Sequence, residues 1–81
     1  MPRKLIRKPT RVGRCSVLIF LHDADYDEYV VETLVPYGGK GKMRVEVRKG
    51  GAAVDRGLAS ARATAAREAR RLRKTPACRM R

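Results

Sequence analysis

RCSVLIFLHDADYDEYVVETLV (residues 14–35) reads as two strands folded about an acidic turn. Side chains alternate across a strand, so Cys15, Val17, Ile19 and Leu21 share one face, and Ser16, Leu18 and Phe20 share the other. Both faces are apolar beyond Val17, the pattern of a strand covered on two sides. The next seven residues, HDADYDE (22–28), are polar and acid-rich and form the turn with its flanks. On the return strand, Tyr29, Val31, Thr33 and Val35 lie on one face, with Val30, Glu32 and Leu34 on the other. Pro36 ends it.

Working outward, PYGGKGK carries Gly38, Gly39 and Gly41, which supply turn freedom. KMRVEVR (42–48) alternates strictly, which predicts a third strand. Met43, Val45 and Val47 are expected to point inward, and Lys42, Arg44, Glu46 and Arg48 outward. Gly50 and Gly51 break the pattern, and a helix is expected from about 52 to 74. Val54, Leu58, Ala61, Ala65, Ala69 and Leu72 form one stripe at helical spacing. Arg56, Arg67, Arg70, Arg71 and Lys74 lie opposite. Arg62 and Arg73 flank the stripe, where their stems cover apolar surface. Gly57 is the weak point of this helix. Asp55 and the terminal bases suit the helix dipole, and Thr75–Pro76 stops the helix.

Residues 1–12 hold Pro2 and Pro9 among bases without apolar periodicity and read as an extended basic arm that Leu5, Ile6 and Val12 can pin to the body. Residues 75–81 read as a basic tail. The predicted fold is α+β: a three-stranded antiparallel sheet followed by one C-terminal helix on one face, β-β-β-α, spanning 13–74 with basic flexible termini. The uncovered side of such a sheet would show Leu18, Phe20, Val30 and Leu34 beside Ser16, Glu32, Arg44, Glu46 and Arg48. That much apolar surface calls for the arm, a second copy or a partner.

The chain has 81 residues, 20 Lys plus Arg, 8 Asp plus Glu and a formal net charge of +12. This length supports one small core. The longest apolar stretch, Val17–Leu21, is too short for a membrane span or a signal-peptide core, which predicts a cytoplasmic protein without membrane attachment. In that compartment, and with Cys78 in the tail, Cys15 and Cys78 are expected to stay separate thiols, a disulfide between them being the alternative. The charge is segregated. Residues 1–21 hold six bases and no acid, 22–35 hold five acids and no base, and the remainder is basic.

Several chemistries fail on spacing. Asp23, Asp25 and Asp27 begin like a calcium loop, but Glu28 and Leu34 stand where that loop needs glycine and a bidentate acid. His22, Cys15 and Cys78 lack zinc spacing. Ser16 and Ser60 have no nucleophile turn or nearby base. GGKGK departs from the phosphate-loop pattern in both spacing and terminal hydroxyl. No cofactor, metal, small-molecule substrate or catalytic residue is expected, and the chain reads as a binder rather than an enzyme.

A cation of this density suits a polyanion, because each neutralised phosphate releases counterions. The expected nucleic-acid contacts are Arg3, Lys4, Arg7, Lys8, Arg11 and Arg14 on the arm, with Lys40 and Lys42 in the loop. Arg44 and Arg48 join them from the sheet, and Arg56, Arg67, Arg70, Arg71 and Lys74 from the helix. Arginine's planar fork suits phosphate, whether of DNA or RNA. The scarcity of stacking aromatics disfavours reading of single-stranded RNA sequence. The strand-strand-strand-helix order over 14–74 resembles small integrase-arm and plant DNA-binding domains, the HicB-like antitoxin fold and the later half of a double-stranded-RNA-binding domain. It is also similar in plan to some phage proteins that block host defence complexes, including anti-CRISPR proteins. On that alternative, Leu18, Phe20, Val30 and Leu34 dock a protein partner or a second copy, and Asp23, Asp25 and Asp27 meet a basic surface.

Overall fold

The runs at 15–21 and 29–35 pair antiparallel and form the middle of the sheet, as their two-sided apolar pattern requires. In the computed structural model, which describes residues 4–37, 42–47 and 54–79, the strands are β1 (Lys4–Leu5), β2 (Thr10–Val12), β3 (Cys15–Asp23), β4 (Glu28–Tyr37), β5 (Lys42–Val47) and β6 (Asp55–Arg56). Helix α1 (Leu58–Arg73) follows, and a 3-10 turn (Pro76–Cys78) closes the described chain. The class is therefore α+β with an antiparallel sheet and, among the described residues, one C-terminal helix, but the sheet has six strands among those residues where three were expected. β1 and β2 line one side of β3, while β5 and β6 line up along the far side of β4.

The two additional strands on the first edge come from the segment expected as an arm. Leu5 stands opposite Phe20, and the Ile6 amide donates to the Ile19 carbonyl at 2.9 Å. Thr10 then stands opposite Val17. Arg7, Lys8 and Pro9 thus face Leu18 alone, and this bulge lets the strand pass a proline that has no amide to donate. Aperiodic charge hid the strand, because edge strands carry bases and prolines that a central strand excludes. Gly13 and Arg14 join β2 to β3 in a two-residue turn, and Gly13 at φ 59° supplies its left-handed position.

The β3–β4 turn forms where the acids are. Asp23 Oδ1 accepts from the Asp25 amide at 3.0 Å, and Asp27 takes φ 54°, a conformation that aspartate tolerates better than bulkier residues. The Asp27 carbonyl accepts from the Gly57 amide at 2.7 Å and so ties this hairpin to the start of the helix. That start is later than expected. Gly57 sits at φ 88°, outside helical space, so the helix begins at Leu58, and Val54 lies before it rather than on its stripe. Asp55 is buried in β6, where its Oδ1 accepts from Ser60 Oγ at 3.1 Å and Thr64 Oγ1 at 3.0 Å.

Ala61, Ala65, Ala69 and Leu72 pack on Val12, Cys15, Val17, Ile19, Val31 and Val35. Small side chains on the helix allow this close approach to the sheet. At its far end, Thr75 is extended, as a residue before proline should be, and its hydroxyl donates to the Arg71 carbonyl at 3.0 Å. The chain then turns back rather than leaving as a tail. Cys78 is buried and joined to Cys15 by a disulfide (Sγ–Sγ 1.99 Å, Cα–Cα 5.1 Å), and its carbonyl accepts from the Arg14 amide at 2.8 Å. The expectation of separate thiols rests on compartment and on placing Cys78 in a tail. Spatial proximity across 63 positions is a tertiary fact.

The third strand also faces the other way. Val45 stands opposite Leu34 and Met43 opposite Pro36, so both lie on the side away from the helix, where they are 53% and 42% exposed. Arg44 and Glu46 occupy the helix side, opposite Val35 and Thr33. The alternation was legible, but its sense was not. β5 lies at the edge, where polar residues on the helix side can reach solvent and the flank of α1.

Glu46 illustrates this. Arg44 Nη2 approaches its Oε1 at 2.7 Å, and Arg71 Nη2 reaches its Oε2 at 3.3 Å; Arg71 Nε also meets Glu68 Oε2 at 2.6 Å. Burial pushes the Glu46 carboxyl up, but the two arginines outweigh it and hold it below its ordinary value of 4.5. A lowered folded value stabilises the protein above the ordinary carboxyl range and is lost as pH falls through it. Glu46→Gln should therefore lower stability at neutral pH by less than about 1 kcal/mol, given the partial exposure. Paired denaturant titrations should show the difference from wild type vanishing in acid.

Candidate nucleic-acid interface

At 100° per residue, Arg62 and Arg73 stand on one flank of α1, while Arg67 and Arg71 stand on the other. The first flank faces the β1–β2 edge across a cleft of about 410 Å³. Its walls carry Arg62, Arg70 and Arg73 from the helix, with Arg7 and Thr10 from the edge, and Ala65, Ala66 and Ala69 form its floor. Ile6 occupies the helix side of the sheet, opposite Ile19, so strict alternation would send Arg7 to the other side. The bulge at Arg7–Pro9 breaks that alternation and brings Arg7 to the cleft.

The acids are placed elsewhere. Asp23, Asp25, Asp27 and Glu28 belong to the β3–β4 hairpin, Glu46 and Glu68 are engaged by Arg44 and Arg71, and Glu32 and Asp55 are buried. None lines the cleft. Among the described residues, no carboxylate is within salt-bridge distance of Arg7, Arg62, Arg70 or Arg73. Four arginines thus line one cleft with no carboxylate among its walls, a local excess of positive charge.

This sorts the bases expected from the sequence. Arg7 and Arg70 reach the cleft. Arg71 and Arg44 are engaged with carboxylates, and the interaction with Glu68 helps raise the Arg71 guanidinium further. Arg67 donates from Nη2 to Thr64 Oγ1 at 3.2 Å on the opposite flank. Lys4, Lys8, Arg11, Arg14, Lys42, Arg56 and Lys74 are exposed but dispersed over the edge strands, turns and helix end. Arg3, Lys40 and Arg48 lie outside the described residues. The sequence marks Arg62 and Arg73 only as cover for apolar surface. Their position beside the stripe was the available signal, but the edge strand that makes a cleft there was not expected.

The second expected surface is also assembled. Leu18, Phe20, Val30 and Leu34 share the side of the sheet away from α1, half-buried, and Leu5 joins them opposite Phe20 at 39% exposure. Met43 and Val45 enlarge this apolar face, while Arg44 and Glu46, expected there, do not contribute to it. Asp23, Asp25 and Asp27 sit together at the β3–β4 turn, beside the start of α1. There the Tyr29 hydroxyl donates to Asp27, whose negative charge, with burial, pushes the phenol up from 10.0 despite the opposing pull of Arg62.

Among the described residues no helix is long and apolar enough to cross a membrane, and no cluster of potential metal ligands is present. No protein-family model matches the chain, and neither a curated protein nor a solved structure matches it.

Proposed function

We propose that this chain is a small cytoplasmic nucleic-acid-binding module that grips phosphates in the cleft between α1 and the β1–β2 edge. The observation that carries this reading is the convergence of Arg7, Arg62, Arg70 and Arg73 on one acid-free cleft, while Arg44 and Arg71 are neutralised elsewhere. The lining offers guanidinium forks, one hydroxyl and methyl groups, a set that holds an anion and performs no chemistry on it. The protein is therefore read as a binder and not as an enzyme.

Four neutralised phosphates on a duplex give a slope of log affinity against log salt of about −3.6. Fluorescence anisotropy with labelled DNA and RNA at several salt concentrations measures it. Arg62→Ala and Arg70→Ala should each flatten the slope by about 0.9 and weaken binding to all sequences alike. Arg71→Gln, which removes a charge already engaged, should change the slope far less. Absence of binding to any nucleic acid at low salt overturns the reading.

A second reading has its own observation, the apolar face enlarged by Leu5, Met43 and Val45. On it, the chain is a phage-type inhibitor that docks a host protein or nucleoprotein complex, as anti-CRISPR proteins do, or pairs with a second copy. Light scattering measures the latter.

A further inference from the structure

The outward side of α1 has a definite profile. With Ala61, at the centre of the buried stripe, set at 0°, Arg62 and Arg73 fall near about 100–120° and Lys74 and Arg67 near about 220–240°. Between these two rows lie Ala59, Ala63, Ala66 and Arg70, at about 140–200°. All eight are exposed. The helix thus presents a low ridge of methyl groups bordered on each side by cations. Among the described residues, none of the four flanking cations is ion-paired; only Arg67 spends a donor, on Thr64.

Building on the nucleic-acid reading, we infer that the C-terminal three turns of α1 enter the major groove of duplex DNA, one cation row on each phosphate strand. A helix with its side chains is about 10–12 Å across, and the B-form major groove is about 12 Å wide. The alanine ridge lets the backbone approach the groove floor, while Arg62 and Arg73, with Arg7 across the cleft, take one strand. Arg67 and Lys74 take the other. From Arg62 to Lys74 the helix rises about 18 Å, the length of about five base pairs at 3.4 Å each.

The acidic hairpin sets the orientation. Asp27 is bonded to Gly57 at the N-terminal end of the helix, so a polyanion is repelled there and admitted at the other end. Other polyanions fit less well. The major groove of duplex RNA is deep and narrow and does not admit a helix. Single strands are held by stacking on aromatic rings, and the cleft and ridge have none. Of the ridge side chains only Arg70 has hydrogen-bond donors, and it lines the phosphate-binding cleft, so the ridge reads no base edge and binding is expected to be indifferent to sequence.

The experiment compares one sequence as duplex DNA, duplex RNA and single-stranded DNA, with wild type and Ala63→Phe. Ala63 is exposed, so the replacement leaves the core intact, which circular dichroism checks. A ring on the ridge blocks entry to the groove but leaves every cation in place. The expected result is at least tenfold preference for duplex DNA, a tenfold or greater loss of that affinity in Ala63→Phe, and unchanged helix content. With Arg67 and Lys74 added to the four cleft arginines the wild-type slope is expected at about −5.4, and Arg67→Ala with Lys74→Ala should flatten it by about two, to the roughly −3.6 of the cleft alone. Equal affinity for the RNA duplex, or unchanged affinity in Ala63→Phe, overturns the groove inference while phosphate binding stands. Absence of binding to all three overturns both.

Discussion

Reducing the Cys15–Cys78 disulfide is expected to lower the unfolding free energy by about 4 kcal/mol. The bond closes a loop of 63 positions, and the chain-entropy relation assigns a loop of that length about 4 kcal/mol through restriction of the unfolded chain. At about 0.05–0.15 kcal/mol per residue, a chain of this size has some 4–12 kcal/mol in total. The bond is therefore a third or more of what holds the domain together. For a domain this small, 1 kcal/mol moves the melting temperature by about 4–8 °C, so a fall of about 20 °C is expected. Thermal melts with and without reductant, and of Cys15→Ser with Cys78→Ser, measure it. A shift below about 5 °C overturns the assignment. In a reducing cytoplasm the same loss would leave the domain marginal, and binding a polyanion to the folded state alone would restore stability by mass action.

Leu72→Ala should be nearly as costly, at about 3–4 kcal/mol. The buried stripe of α1 is otherwise Ala61, Thr64, Ala65 and Ala69, so Leu72 is the only large apolar side chain it sends into the core. It is fully buried, with Ile19 and Val17 as the largest fully buried apolar side chains of the sheet. Truncation removes its transfer energy and leaves a cavity that a sheet cross-linked at Cys15 cannot collapse to fill. Urea unfolding should show a lower midpoint at unchanged slope. Ala66→Leu, on the exposed side of the same helix, should stay within about 0.5 kcal/mol of wild type.

These effects separate what was legible from what was not. The central hairpin, the helix stripe and the acidic turn followed from local patterns: period two at 15–21 and 29–35, period 3.6 at 58–72, and aspartates where the backbone turns. The edge strand at residues 4–12 did not. Its pairing is supplied by β3, and its own residues, with Pro9 among them, have no pattern that demands a sheet. The candidate site failed in the same way. Arg70 was recognisable as an outward base, but Arg62 and Arg73 became site residues only because Arg7 and Thr10 stand across from them.

The sequence by itself determined that this protein has an α+β core, a basic surface interrupted by one acidic turn, and a helix with one small-residue face. Each of these depends on neighbours within a few positions, where propensity and periodicity act. Tertiary structure alone decided that Cys15 meets Cys78, that Val45 faces solvent while Glu46 meets Arg71, and that four arginines share an acid-free cleft. Those outcomes depend on register and on distances between segments remote in the chain, where a shift of one residue reverses every side chain of a strand.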